Sequence, residues 1–452
     1  ALLSMDGGRI VAAAFLAGGI LLALEVIWFR FLLLFQVGTT LVFATNLAVV
    51  LSGIGLGAVL ASYLSRRGWL TAGVARFSAA GAAAGVVAGY AVFDVTLRTL
   101  VKLETESILP TVLLSVVLMG PVCLLSGLLF TALGEQLRNH MAHATAATGV
   151  LTLANTLGAM AGSLLAAFVM LPALGIERSF FLLAVLYASL VFLISSPERG
   201  HGRRAAPVLV AAAALALFPF GRMVSVHYKN VEAHWDARLI AAREGMVETA
   251  FYLQHEFLGE PHYQRLVANS ISMSTTATEA QRYMKLFAYL PAVFHPGIVD
   301  ALVICFGVGS TAGAVADLPD VKRIDVVDVS RDILEMSDLI YPDPRGHPLR
   351  DSRVAVHVED GRFFLQHTSR RYDLITGEPP PPKIAGVVSL YTLEYFQLLR
   401  DHLNPGGMAS YWLPVHNLRE RDALAIIRAF CDAFDDCSLW SGIGLEWILV
   451  GS

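Results

Sequence analysis

The feature that most constrains this chain is the apolar sequence that fills its first half. Residues 10–220 contain seven long apolar runs, near 10–35, 41–64, 72–93, 108–133, 146–172, 179–195 and 207–223. A helix rising ~1.5 Å per residue needs about 20 apolar residues to cross a bilayer core. Residues 1–225 are therefore expected to form an α-helical transmembrane bundle of about seven spans. Short connections carry the breakers, at Val37-Gly38-Thr39-Thr40, Arg66-Arg67-Gly68 and Pro172-Ala173-Leu174-Gly175. Gly53/Gly57 and Gly158/Gly162 place small residues four apart, which lets helices pack closely where lipid gives no hydrophobic drive. Glu25 and Arg30 lie inside the first run, where an ionisable group is costly and normally faces protein or water. They mark either an internal contact or a substrate path.

Whole-chain averages hide a partition. The 452 residues are 55% hydrophobic and only 15% charged, against about 25% charged for ordinary soluble domains, but the segment after residue 230 has normal globular composition. A net charge of −4, with no interleaving of basic and aromatic residues, gives no reason to expect a nucleic-acid partner. Four cysteines without a Cys-x-x-Cys pair argue against a zinc site, and Cys431 and Cys437 are expected as a reduced, inert pair. No cleavable signal is expected, because the first apolar run continues into a membrane pattern. Arg66, Arg67, Arg138, Arg199, Arg203 and Arg204 fall in alternate connections, on the side of the N-terminus. The positive-inside rule makes that side cytoplasmic, and seven full crossings would then leave the C-terminal domain outside. The last run is short and contains Phe218-Pro219-Phe220; a re-entrant or interfacial course there returns the domain to the cytoplasm, where an intracellular cofactor places it.

The second half reads as two pieces. Residues 226–297 form a small β-rich subdomain with strands in Gly245–Leu253 and Tyr263–Ser270, then a helix over Glu279–Leu290. Residues 298–452 alternate strand and helix. Strands are expected at 301–305, 323–328, 353–357, 372–376 and 408–412, with helices near 311–317, 330–338, 391–403 and 420–434. That order predicts an open, mostly parallel α/β Rossmann-like sheet with helices on both faces. Ligands bind such sheets at the carboxyl ends of the strands. Gly307/Gly309, Asp328, Glu359-Asp360-Gly361 and Gly377-Glu378 lie at four of those ends. Each has a simpler reading too: the glycines as strand-to-helix punctuation, Asp360 as a helix cap, and Glu378 before Pro379–Pro382 as part of a stiffened loop. A carboxylate fixed over the cleft by that loop is also placed for general-base work.

In order along the chain, these motifs resemble the spermidine synthase (polyamine aminopropyltransferase) family, and in particular bacterial members fused to an N-terminal multi-span domain. The resemblance rests on Ala23-Leu24-Glu25-Val26-Ile27-Trp28-Phe29-Arg30 and Ala154-Asn155-Thr156-Leu157-Gly158-Ala159 in the first half. In the second it rests on Val303–Gly309, Val326-Val327-Asp328, Val358–Gly361, Tyr372–Pro379, Ser389–Phe396 and Leu403–Gly407. It implies the methyltransferase-like fold of that family and a transferase in a bacterial inner membrane. The co-substrate would be decarboxylated S-adenosylmethionine or S-adenosylmethionine itself, held by Gly307, Gly309, Ser310, Asp328, Val329, Asp360 and Gly361. Asp328 would hold the ribose and Asp360 the adenine. Glu378 would be the base that takes a proton from an amine acceptor bound near Met273, Gln281, Tyr283 and Tyr391. No metal is needed, because the sulfonium is already a good leaving group. The family commonly dimerises, which implies a homodimer.

Departures from the family pattern are equally informative. Val308 stands where an acid usually contacts the cofactor amine. Glu378-Pro379-Pro380-Pro381-Pro382 keeps one acid of the usual Asp-Ser-x-Asp-Pro loop and loses the second, and Tyr283-Met284-Lys285 replaces Tyr-His-Glu. A dicationic acceptor wants several carboxylates, so either the acceptor differs or the donor is unmodified S-adenosylmethionine. Two other readings stay open: a methyltransferase on the same fold, and a transporter or sensor with a nucleoside-binding domain and a path through Glu25, Arg30, Asn46 and Asn155.

Overall fold

A computed structural model describes residues 5–101, 108–194 and 201–452; Arg199 lies outside the described residues. The first compact unit runs to Val231. It contains α1 (Met5–Leu32), α2 (Thr40–Arg66), α3 (Ala72–Val101), α4 (Leu109–Arg138), α5 (Ala144–Leu165), α6 (Leu171–Leu193) and α7 (His201–Ala216). Among the described residues, five stretches are long and apolar enough to cross a membrane: α1 to α4, and the 50 residues Ala144–Leu193. The last stretch takes in both the fifth and sixth apolar runs, because a π-helical turn at Ala166–Met170 joins α5 to α6. Its direction changes at Gly175, whose φ of 74° is left-handed. The seventh run gives only a shorter apolar helix, Ala205–Ala216, well under the ~20 residues a crossing requires.

Glycines set how closely these helices approach. A Cβ on Gly158 would lie 1.8 Å from the Phe15 carbonyl oxygen, and one on Gly162 would lie 2.0 Å from that of Gly19. One on Gly57 would lie 2.0 Å from the Leu124 carbonyl oxygen. The two small-residue pairs are thus the backbone contacts of α5 with α1 and of α2 with α4. Asn46 is buried and accepts a 2.5 Å bond from Ser115, so it ties α2 to α4. Arg30 is buried as well.

The second unit comprises Glu232–Ser452 with Val37–Thr40. After α8 (Lys229–Trp235) come β1 (Arg238–Glu244), β2 (Thr249–Phe257), β3 (Glu260–Ala268) and β4 (Ile271–Thr275), an antiparallel sheet in chain order. Helix α9 (Thr278–Phe294) follows. The chain then alternates through β5 (Asp300–Ile304), α10 (Ser310–Ala316), β6 (Arg323–Asp328), α11 (Arg331–Met336), β7 (Val354–Val358), α12 (Gly361–His367), β8 (Tyr372–Gly377), α13 (Leu393–Asp401), β9 (Leu403–Pro414), α14 (Glu420–Cys431), β10 (Cys437–Ile443) and β11 (Glu446–Gly451). The seven strands order as β10-β11-β9-β8-β5-β6-β7. β9, β8, β5, β6 and β7 are parallel, and the last hairpin is antiparallel to them.

Why this sheet forms is visible in β5, whose Ala301-Leu302-Val303-Ile304 are all buried. A parallel strand covered on both faces reads as a continuous apolar run, and each Leu, Val or Ile side chain in it contributes about 1.5–3 kcal/mol on burial. One face packs Val303, Ile324, Val326 and Leu374 against α9, α10 and the small sheet. The opposite face packs Leu302, Ile304, Val327 and Ile375 against Phe364, Leu399 and Phe430. The expected strands fall within a few residues of the observed ones, and the helix start read after Asp360 is α12; the β10–β11 hairpin was not anticipated. Cys431 and Cys437, expected as reduced thiols, are joined by a disulfide that closes the turn from α14 into β10.

Candidate active site

The strand register brings the expected tips together. Ile304 pairs with Val327 and Gly377, so β5, β6 and β8 end at one level. The chain leaves β5 through Cys305, Gly307 and Gly309, with φ values of 71°, 57° and 80°. A Cβ on Gly307 would lie 2.7 Å from the Ser274 hydroxyl, and one on Gly309 would lie 2.6 Å from the Phe306 ring. Only glycine meets both demands without strain. Asp328, buried at the end of β6, braces this turn: its carboxylate accepts from the Phe306 amide at 2.7 Å and the Ser330 amide at 2.8 Å. Burial pushes its carboxyl up, opposed by those amides. The ribose role expected for Asp328 would fall to lone pairs the turn leaves over. Val329, next to it, is exposed.

Asp360 caps α12, one oxygen accepting from the Phe363 amide at 2.9 Å, and the residue is exposed. Gly361 lets that helix start against β5, since a Cβ there would lie 2.6 Å from Ile304. Glu378 prolongs β8, its amide donating to the Ile304 carbonyl at 3.2 Å. Its carboxyl is hydrogen-bonded to the Thr311 hydroxyl in α10. Burial raises Glu378 to about 8; the Thr311 bond pulls down, and the charge of Glu446 adds to the rise. Cys305 registers the convergence of these groups. Burial pushes its thiol up, and Asp328, Glu378 and Asp360 all add to that shift.

The four residues expected on the acceptor side separate. Tyr283 reaches the Glu378 region: burial raises its phenol, followed by the charges of Glu378 and Glu446. Tyr391 is buried behind the proline loop, and its hydroxyl donates to the carbonyls of Pro379 and Pro380 at 3.2 Å each. It positions the loop. Met273 packs against the core around Val303, Phe306 and Val308. Gln281 turns away, its amide donating to the Thr276 carbonyl at 2.9 Å. With Ser310, Lys285 and Tyr341 it borders a cavity of about 470 Å³ whose walls include neither Glu378, Asp328 nor Asp360. Val308 is buried in the core, so the glycine turn carries no acid toward the cleft.

Sequence reasoning missed Thr311, Trp412 and Glu446. Trp412 donates to the Glu446 carboxylate at 2.7 Å. The available signal was Gly444-Leu445-Glu446 before the apolar run Trp447–Val450, a turn feeding a buried strand. Nothing in it says which strand it pairs.

This geometry places the glycine turn, Asp328 and Glu378 together at the carboxyl ends of neighbouring parallel strands of a Rossmann-type sheet. Residues 280–439 match the spermine/spermidine synthase domain. The polyamine aminopropyltransferase of Nitrosomonas europaea is 28% identical over 159 residues, covering 35% of this chain and 49% of that protein. That of Corynebacterium efficiens is 27% identical over 281 residues, 57% of this chain and 50% of that protein. The chain thus spans about half the length of these curated relatives. The Thermotoga maritima spermidine synthase structure aligns with a TM-score of 0.42 at 18% identity, over 47% of this chain and 72% of that one. The C-terminal half of the chain carries a spermine/spermidine synthase domain.

Proposed function

We propose that the protein is a membrane-bound transferase that moves an alkyl group, the aminopropyl chain, from the sulfonium of decarboxylated S-adenosylmethionine to an amine acceptor, releasing methylthioadenosine. The observation that carries this reading is Glu378, a carboxyl raised to about 8 and fixed by the proline loop beside the glycine turn. An attacking amine has to be neutral, and a shielded carboxylate is suited to take its proton. The adenosine would lie along Gly307, Gly309 and Val329, with Asp328 at the ribose and Asp360 at the adenine. Helices α1 to α6 would hold the domain at the bilayer, and a homodimer is the assembly the family suggests.

Incubating the purified protein with donor and a panel of amines tests the proposal, with methylthioadenosine as the readout. Glu378→Gln should lower turnover by roughly 10²–10⁴-fold, the usual contribution of a positioned base. No methylthioadenosine with any acceptor rejects the reading. One observation favours a second reading: with Val308 in the core, the glycine turn offers no acid to a donor amine. A methyltransferase using intact S-adenosylmethionine would release S-adenosylhomocysteine in the same assay.

A further inference from the structure

A polar cavity lies apart from the strand tips. It is the space of about 470 Å³ bordered by Gln254, Gln264, Gln281, Lys285, Ser310 and Asp317, within the range of small-molecule sites, about 300–1,000 Å³. These residues come from β2, β3, α9, α10 and the residue that ends α10. Neither Glu378, Asp328 nor Asp360 borders it, and the transfer proposed at Glu378 makes no use of it.

Each glutamine is held by its nitrogen. Gln254 Nε2 donates to the carbonyls of His255 at 3.0 Å and Tyr263 at 3.4 Å. Gln264 Nε2 donates to that of Leu339 at 3.4 Å, and Gln281 Nε2 to that of Thr276 at 2.9 Å. A carbonyl only accepts, so these bonds fix the orientation of all three amides and leave their oxygens as acceptors. Gln254 and Ser310 are each 7% exposed. Among the described residues, the Ser310 hydroxyl has no hydrogen-bond partner and the half-buried Lys285 forms no ion pair. Asp317 adds a negative charge and accepts from the Tyr289 hydroxyl at 3.2 Å.

The cavity thus offers a cation and a hydroxyl donor together with three amide oxygens and a carboxylate. A simple anion would leave the oxygens without donors, and a simple amine would meet Lys285 as a like charge. A ligand carrying both charges satisfies every group. Lys285 also stands where the family pattern has a glutamate, so the positive charge sets this cavity apart from that pattern.

We infer that this cavity binds a zwitterionic α-amino acid. Its carboxylate is held by Lys285 and Ser310, and its ammonium by the oxygens of Gln254, Gln264 and Gln281 with the charge of Asp317. The site is separate from the transfer cleft and does not depend on the reaction proposed there.

Isothermal titration of the full-length protein in detergent with each of the twenty standard amino acids tests the inference, with acetate and n-butylamine as single-charge controls. At least one amino acid should bind saturably and more tightly than either control. Lys285→Met should weaken that binding by about 10–100-fold, the scale of one hydrogen bond to a charged group, and Lys285→Arg should keep most of it. Gln264→Leu, on a different element, should weaken it too. Glu378→Gln and saturating methylthioadenosine should leave it unchanged. No binding by the folded parent overturns the inference, and so does full affinity in folded Lys285→Met. Displacement by methylthioadenosine would place the ligand in the donor cleft and overturn it as well. Because the readout is binding, a protein that transfers nothing still decides the question.

Discussion

At Glu378 the proton count sharpens the chemistry. Thr311 has one hydroxyl hydrogen but two close acceptors, the Met284 carbonyl at 3.0 Å and the Glu378 carboxyl. Shared between two acceptors, that one hydrogen stabilises the Glu378 carboxylate only in part. That agrees with a group raised to about 8, which is largely neutral at pH 7. The base form appears as pH rises, so kcat/KM should climb through an apparent value near 8. The stability sign follows: the folded state binds this proton more tightly than the unfolded chain, so stability should fall between about 4.5 and 8. When Glu378 ionises, Thr311 can turn to donate to it. A hydrogen bond to a charged group is worth ~1.5–3 kcal/mol and one pKa unit ~1.36 kcal/mol. Thr311→Val should therefore move the activity limb up by about one unit, checked by pH–rate profiles of parent and variant. An unmoved limb would assign that titration to another group. Glu378 was legible as a carboxylate at a strand tip before prolines. Thr311 was not, because contact between a helix start and a neighbouring strand tip is made by the three-dimensional fold.

Elements were legible to the degree that their pattern was local. The buried strands β5 and β6 are apolar runs ending in glycine or aspartate, and these were placed within a residue or two. The hairpin of β10 and β11 escaped because its first strand, Cys437–Ile443, buries no residue fully and carries no core period. With it went Glu446. In the first unit the spacing Gly158/Gly162 was read as packing, and the 1.8 Å approach to Phe15 gives that reading a consequence. Any side chain at 158 has to push α5 from α1, and overpacking a tight contact costs about 1–3 kcal/mol. Gly158→Ala should lower the thermal midpoint of the detergent-solubilised protein, whereas Gly149→Ala, in the same helix with open space at its Cβ, should leave it nearly unchanged. Equal effects at both positions would mean that helix propensity rather than contact governs.

For the whole molecule, the compartment that holds the C-terminal domain has the most consequence for the proposed transfer. Donor supply argued for the cytoplasm. Arg66, Arg67 and Arg138 close α2 and α4, and with that side cytoplasmic a last apolar segment too short to cross keeps the domain with them. One observation argues for the other side. The Cys431–Cys437 disulfide belongs to an oxidising compartment, since cytosolic thiols are kept reduced. If the domain is outside, membrane-impermeant alkylation of intact cells should leave both cysteines unlabelled until a reductant is added. A C-terminal alkaline phosphatase fusion should then be active and a fluorescent-protein fusion dark. A fluorescent fusion with both thiols free in the cell would return the domain to the cytoplasm and make the bridge a product of isolation. The first outcome has a further physical requirement, because a permanently charged sulfonium does not cross a hydrocarbon core unaided. The donor would then have to be delivered to the outer face, and activity in intact cells should depend on supplying it there.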